Sequence, residues 1–293
     1  MRLLPGLLLA LAVMPLEARW FETQDTLADA HAKLLQGNVS ESFDQMVQLW
    51  QKAPTGIVAT NLENLLQSAI SVDCGHSLTD TPLPAWVTEL TLQREKLLHV
   101  NQVSHGITVS GVVDASSLTV DLVRWPDHVV ASGKTATSTQ GHFVVTFRRM
   151  NEAIMGGLYQ LNLTTSDDVT WSQWVLLTAP PKVQRLNWVG TESWNIESRR
   201  LPMRGCTRDE LEQKLYPLDS LYQHSVWSET QQSQLPTFLD RARLDVDNGS
   251  YWFSLALINT RWQGELKIQE VQRLIKPVNL EDKGAISAVT SGE

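Results

Sequence analysis

Two rhythms of apolar and polar residues divide the chain. Over residues 22–97 apolar side chains recur at helical spacing. Thr26 is placed to cap a first helix, with Leu27, Ala30, His31, Leu34 and Leu35 on its face and Gly37-Asn38 as its stop. Ser40 is placed to cap a second, with Phe43, Val47 and Trp50 on one side and Pro54 at its end. A third helix carries Ile57, Leu62, Leu65, Leu66, Ala69 and Ile70, and a shorter fourth is expected from about Pro84 to Leu97. Two antiparallel helices joined at Gly-Asn resemble a tetratricopeptide hairpin. No second copy follows at a fixed period, which argues against a repeat array.

From about residue 98 the period falls to two. Val109–Val113, Leu118–Val123, Val129–Ala131, Phe143–Phe147, Leu158–Leu163 and Val169–Leu177 read as short strands separated by Gly, Asp, Asn and Ser. That spacing predicts an immunoglobulin-like or fibronectin-like β-sandwich. Gly157-Leu158-Tyr159-Gln160-Leu161 is similar to the late strand that carries a tyrosine corner. Ala179-Pro180-Pro181 marks a domain boundary, because paired prolines stiffen a linker and end a strand. Beyond it, Val183–Trp188 reads as a strand. Thr207-Arg208-Asp209-Glu210 has the capping box of a short helix, stopped by Pro217. Ala242–Asp247 and Ser250–Ile258 read as a hairpin closed by Asn248-Gly249. Glu265–Ile275 returns as a last strand after a turn near Gly264.

The expected fold class is therefore α+β and multidomain. It has N-terminal helical hairpins (19–97), a central β-sandwich (98–179) and a C-terminal, mostly β domain (182–276). A signal peptide (1–18) precedes them and a loose tail (277–293) follows.

Composition narrows the setting. The chain has 293 residues, 42% of them apolar and 19% charged, which is globular and not disordered. A formal charge of −8 argues against a nucleic-acid partner, whose phosphates require a basic face. Arg2, the apolar run Leu3–Val13 and Leu16-Glu17-Ala18 form a secretory signal cleaved near Ala18. The run is shorter than the roughly 20 residues that cross a bilayer, so the chain is expected to be periplasmic and not membrane-spanning after cleavage. The alternative is an uncleaved N-terminal anchor. In an oxidising compartment the two cysteines, Cys74 and Cys206, are expected to pair. Closing so long a loop contributes about 4–5 kcal/mol in the chain-entropy model. The bridge would staple the helical part to the last domain across the sandwich.

Candidate chemistry is sparse. Gly133-Lys134-Thr135 ends like a phosphate-binding loop, but His128 stands where its first glycine belongs. Asp245-Val246-Asp247-Asn248-Gly249 hints at a calcium loop, yet Ser250 and Ala256 occupy its glycine and glutamate positions. The seven histidines are scattered. No metal, cofactor or catalytic residue is assigned. Tryptophan is the unusual feature, with 11 against 4 Tyr and 6 Phe. Trp171-Ser172-Gln173-Trp174 is similar to the WSxW box of fibronectin-type receptor domains, and on a strand its two rings point to opposite faces. Trp174, Trp188 and Trp194, with Arg199 and Arg200, are the candidate binding residues, since exposed rings stack on sugars or fill partner pockets.

Trp20-Phe21, Ala30-His31 through Leu34-Leu35 to Trp50-Gln51, Asp73-Cys74-Gly75 and Gly205-Cys206 resemble a domain-of-unknown-function family of exported gammaproteobacterial, VxrC-like proteins. These are encoded beside a histidine kinase and response regulator that answer cell-wall stress. The resemblance implies a periplasmic address and a link to envelope signalling, and it carries over no catalytic residues. The expected function is thus a non-catalytic binding or accessory protein with a protein partner such as a sensor kinase ectodomain. The alternatives are a glycan-binding module, for peptidoglycan or polysaccharide, and a hydrolase whose groups are assembled from distant residues.

Overall fold

The computed structural model describes residues 16–99, 102–150, 152–181, 184–197, 205–219 and 224–281, with side chains from residue 25. The expected leader falls almost wholly outside these residues, as do Arg199, Arg200 and most of the expected tail.

Helix α1 spans Leu16–Leu35, longer than the Thr26 cap predicts. No glycine or proline interrupts that run, so Thr26 lies inside the helix instead of at its start. Gly37, at φ +85°, ends it. The Gly37 and Asn38 amides donate to the Leu34 and Lys33 carbonyls at 3.0 and 2.9 Å, satisfying groups the last turn would orphan. Helix α2 (Val39–Gln51) starts one residue before the expected Ser40 cap. Helix α3 (Gly56–Asp73) buries Leu62, Leu65, Leu66, Ala69 and Ile70 against Ala30, Phe43, Met46 and Leu49.

The remainder is mostly β, so the chain is α+β. The expected fourth helix over Pro84–Leu97 is instead strand β1 (Val87–His99). Its Gln-Arg-Glu-Lys-Leu-Leu stretch favours helix locally, but Leu90 and Leu92 alternate inward and strands flank it on both sides. Strands β2 (Gln102–Val113), β3 (Ser117–Arg124), β4 (His128–Ala136), β5 (His142–Met150), β6 (Gly157–Thr165) and β7 (Thr170–Leu177) follow. A short pair, β8 (Leu186–Trp188) and β9 (Trp194–Ile196), precedes β10 (Glu210–Pro217), β11 (Trp227–Gln231), β12 (Ser250–Gln263) and β13 (Leu266–Asn279).

The capping-box helix at Thr207–Glu210 is also overturned. Leu211, Gln213 and Leu215 alternate inward and make the segment strand β10, paired on one side with β11 and on the other with β12. Nor does Ala242–Asp247 form a hairpin with β12. Both edges of β12 are already taken by β10 and β13, and Arg241–Arg243 is a single 3-10 turn capped by the Asp240 carboxylate. The tight return at Gly264 (φ +60°) joins β12 to β13 as the pattern predicted.

Seven strands form one sheet in the order β11-β10-β12-β13-β1-β2-β5, and four form a second in the order β4-β3-β6-β7. On one face the large sheet carries two cores. Leu92, Ile107, Val109 and Phe143 pack on Leu118, Val120, Leu161 and Val175 of the four-stranded sheet. Leu211, Leu215, Phe253 and Leu274 pack on Leu186 and Trp194 of the small pair. Tyr159, 1% exposed, donates its hydroxyl to the Met155 carbonyl at 2.7 Å.

A buried polar band separates the cores. Arg94 clamps Glu270 with two bonds of 2.7 Å, on directly opposed residues of β1 and β13. Asp209 accepts from Asn259 and Arg185 at 2.9 and 2.5 Å. Arg261 donates to the Leu176 carbonyl at 2.7 Å, and burial lowers its guanidinium to about 10 against the pull of Glu270. On the other face Arg273 bridges Glu95 of β1 and Glu212 of β10. Burial raises the Glu212 carboxyl, but Arg273 and Lys214 outweigh it and hold the group below its ordinary range.

Cys74 and Cys206 form a disulfide with Cα atoms 4.8 Å apart. Cys74 caps α3 in the left-handed region and is fully buried. The adjoining loop docks on the end of β12: the Trp262 and Gly264 amides donate to the Cys74 and Gly75 carbonyls at 2.9 and 3.0 Å. His76 stacks on Trp262 with ring centroids 4.4 Å apart. A Cβ on Gly75, at φ +89°, would stand 2.0 Å from the Trp262 carbonyl, so this approach requires glycine. The bridge thus ties the end of α3 to the segment that leads into β10. Among the described residues no helix is long and apolar enough to cross a membrane.

The double variant Cys74→Ala/Cys206→Ala is expected to lose about 4 kcal/mol of stability, read as a lower urea midpoint. The depressed Glu212 carboxyl contributes stability that is full above its ordinary value of 4.5 and is lost as pH falls through the lower folded value. Urea midpoints measured from pH 6 to pH 3 should therefore fall less steeply for Glu212→Gln than for the native chain, once offset for its lower starting stability.

Candidate functional site

The site is built by the outermost strands of the large sheet. In β11 the alternation Trp227-x-Glu229-x-Gln231 sends three side chains to one face. The register sets Trp227, Glu229 and Gln231 opposite Leu215, Gln213 and Leu211 of β10. Gln213 therefore shares their face, where two leucines at 0% exposure flank it and leave it 2% exposed. Its Oε1 is buried and has no hydrogen-bond partner. Such a group is costly to leave unmet, at about 1–3 kcal/mol.

Gln213 lies at the floor of a cavity of about 190 Å³. Trp227 and Phe238 are its aromatic walls, with Glu229, Asp240 and Arg243 on the rim. Arg243 pairs with Glu229 at 3.0 Å and with Asp240 at 3.3 Å. Phe238 is 58% exposed, and among the described aromatic side chains only Trp125, at 37%, is also classed as exposed.

The wall carrying Phe238 is held from behind by the β8–β9 pair. The Trp194 indole donates to the Pro236 carbonyl at 2.7 Å, and its backbone amide donates to Thr237 at 2.9 Å. Leu239 N–H donates to the Glu192 carbonyl at 2.8 Å, and the Glu192 carboxylate clamps Arg241. Trp188 packs edge-on against Trp194 with Lys276 Nζ 3.8 Å above its ring. Burial pulls Lys276 below the ordinary lysine range, with Glu192 opposing.

The five residues singled out in the sequence do not converge. Trp194 (2% exposed) and Trp188 meet each other and Phe253 in the C-terminal core, behind the pocket wall. Trp174 lies elsewhere, half-buried against the helices and edge-on to Trp125, whose indole donates to the Gln51 carbonyl at 3.0 Å. Arg199 and Arg200 lie outside the described residues. Gln213, Glu229 and Phe238 were not anticipated. The W-x-E-x-Q alternation of β11 is visible in the sequence, but its partner strand begins with the capping-box pattern of a helix.

The model of a family described as "Protein of unknown function (DUF2861)" matches residues 20–279. No curated protein matches the chain. Among solved structures, a chain titled "Biofilm associated protein - BSP domain" aligns with 11% identity and a TM-score of 0.23, over 75% of this chain and 32% of that one. This chain thus spans about a third of that structure's length.

Trp194→Phe keeps an aromatic ring, though a smaller one, and removes the bond to Pro236. It is expected to cost about 1–2 kcal/mol by urea unfolding and to speed amide exchange across residues 236–239.

Proposed function

The chain belongs to this family of unknown function, and from that premise we propose that it is a non-catalytic, periplasmic binding protein whose ligand is a glycan. The observation that carries this reading is a small polar cavity walled by Trp227 and Phe238, with Gln213 among its lining residues. Aromatic faces take the apolar faces of sugar rings, and a few polar groups among them fix a ligand's orientation. Glu229 and Asp240 share one guanidinium, an arrangement suited to holding a ligand and not to cycling a proton. The Cys74–Cys206 bridge supports an oxidising compartment, and the apolar stretch Leu3–Val13 supports export through a cleaved leader.

The domain reading is consistent with this role. We take β1-β2-β5 facing β4-β3-β6-β7 as a fibronectin-like sandwich, with the Tyr159 bond to Met155 as its tyrosine corner. A second reading, recognition of a protein partner such as a sensor kinase ectodomain, is favoured by Val189, 72% exposed in the loop next to β8. In that case ligand occupancy of the pocket would inform an envelope-stress partner.

Titration with muropeptides and oligosaccharides is expected to change tryptophan fluorescence saturably, and Trp227→Ala is expected to lower affinity about tenfold or more. A flat signal confirmed by calorimetry removes the glycan reading. Retained affinity in Trp227→Ala removes this pocket as its site.

A further inference from the structure

An open backbone edge and two exposed apolar side chains lie together beside the β8–β9 pair. Ser193 bridges Phe238 in antiparallel fashion. The Trp194 amide donates to the Thr237 carbonyl at 2.9 Å, and the Leu239 amide to the Glu192 carbonyl at 2.8 Å. Residues 237–239 thus lie against β9 on the side away from β8. The two bonds bracket Phe238, so its own N–H and C=O point outward, away from β9. Among the described residues no hydrogen bond reaches either group. The register also places the side chains. Val189 N–H donates to the Ser193 carbonyl at 3.0 Å, and Ser193 stands opposite Phe238. Val189 and Phe238 therefore share the face turned away from Trp188 and Trp194, and they are 72% and 58% exposed. An unpaired strand edge beside apolar side chains is a surface that another strand can join.

The last described residue lies at the same place. Arg241 donates to the Asn279 and Glu281 carbonyls at 3.0 and 3.3 Å, and Glu192, next to Ser193, clamps the same guanidinium. Residues 282–293 follow, twelve residues that reach about 40 Å when extended. Within them Ala285-Ile286-Ser287-Ala288-Val289-Thr290 has no charge, proline or glycine, and three of the six side chains are β-branched, a composition suited to a strand. We infer that residues 285–290 add to the 237–239 edge of the same chain as a further strand, with Ile286 set on the Val189–Phe238 face. The Phe238 N–H and C=O gain backbone partners, and the edge is closed to strands from other molecules. Because Phe238 also lines the cavity, the segment is an intramolecular cover beside its mouth. The cover forms whether or not the cavity binds a glycan.

Hydrogen exchange at the Phe238 amide, followed by NMR on the full-length disulfide-bonded protein, tests this directly. That amide is expected to be protected in the full-length chain and to exchange about tenfold or more faster in a variant that stops after Glu281. Ile286→Asp in the full-length chain disturbs the contact without shortening the protein, and it is expected to speed the same amide. Near-UV circular dichroism checks that each variant is folded. A Phe238 amide that exchanges at one rate in all three proteins overturns the inference. So does protection that rises with protein concentration alongside a dimer mass by sedimentation, since the occupant is then a second copy. Protection that is independent of concentration and lost in both variants supports it.

Discussion

The parallel pairing of β1 with β13 is the constraint on which the other features depend. Residues 91–98 run beside residues 267–274, so one strand belongs at once to the sandwich-like layer and to the C-terminal half. Without that ladder the large sheet would separate into two pieces, each with an open edge. With it, the two cores share one backbone lattice, and the polar groups between them are held at fixed spacing. Arg94 and Glu270 stand opposite each other on these two strands, and Arg273 reaches from β13 back to β1 and across to β10. Removing one member of such a pair leaves a buried charge unpaired, at about 3–5 kcal/mol. These ions therefore act against any register in which β1 and β13 slip.

The helical part is fastened differently. It shares a core with Leu158 and Leu176, so the four-stranded layer lies between the helices and the large sheet. The disulfide and the Cys74–Gly75 loop then bind the end of α3 to the β12–β13 turn and to the residues before β10. The chain closes on itself from both sides of the sandwich. This leaves β10 and β11 at the far edge of the sheet, where the β8–β9 pair packs on the face that carries Leu211 and Leu215. The pocket occupies that edge, and its outer wall is pinned by the β8–β9 pair through Trp194.

Much of this was legible in the residues, and the failures share a cause. The runs Leu118–Val123, Phe143–Phe147 and Leu158–Leu163 alternate cleanly and became β3, β5 and β6. The Cys74–Cys206 pair was legible because an inference from cysteine count does not depend on the fold. The misread segments, Pro84–Leu97 and Thr207–Glu210, belong to strands with a partner on each side. Locally each satisfies a helix rule, and pairing with β2 and β13 in one case, and with β11 and β12 in the other, makes them strands. Asn248-Gly249 carries a strong turn signal, yet the edge it would have used is filled by β10. The pocket was hidden for the same reason: Gln213 becomes a floor only when β10 is a strand. The surplus of tryptophan pointed to recognition, but Trp188 and Trp194 brace the wall and Trp174 seals the helical seam.

The eleven indoles offer the most direct check on the account as a whole. Each gives one N–H resonance in a spectrum of 15N-labelled protein, and those of the described residues are spread over the helical seam, the sandwich-like layers and the C-terminal core. On adding N-acetylglucosamine oligomer, the account predicts that the Trp227 indole shifts most, with a smaller change at Trp194 behind the wall. Trp50, Trp86 and Trp262 should stay unmoved. Shifts centred on Trp174 or Trp262 with Trp227 silent would contradict the assignment of recognition to the β10–β11 edge.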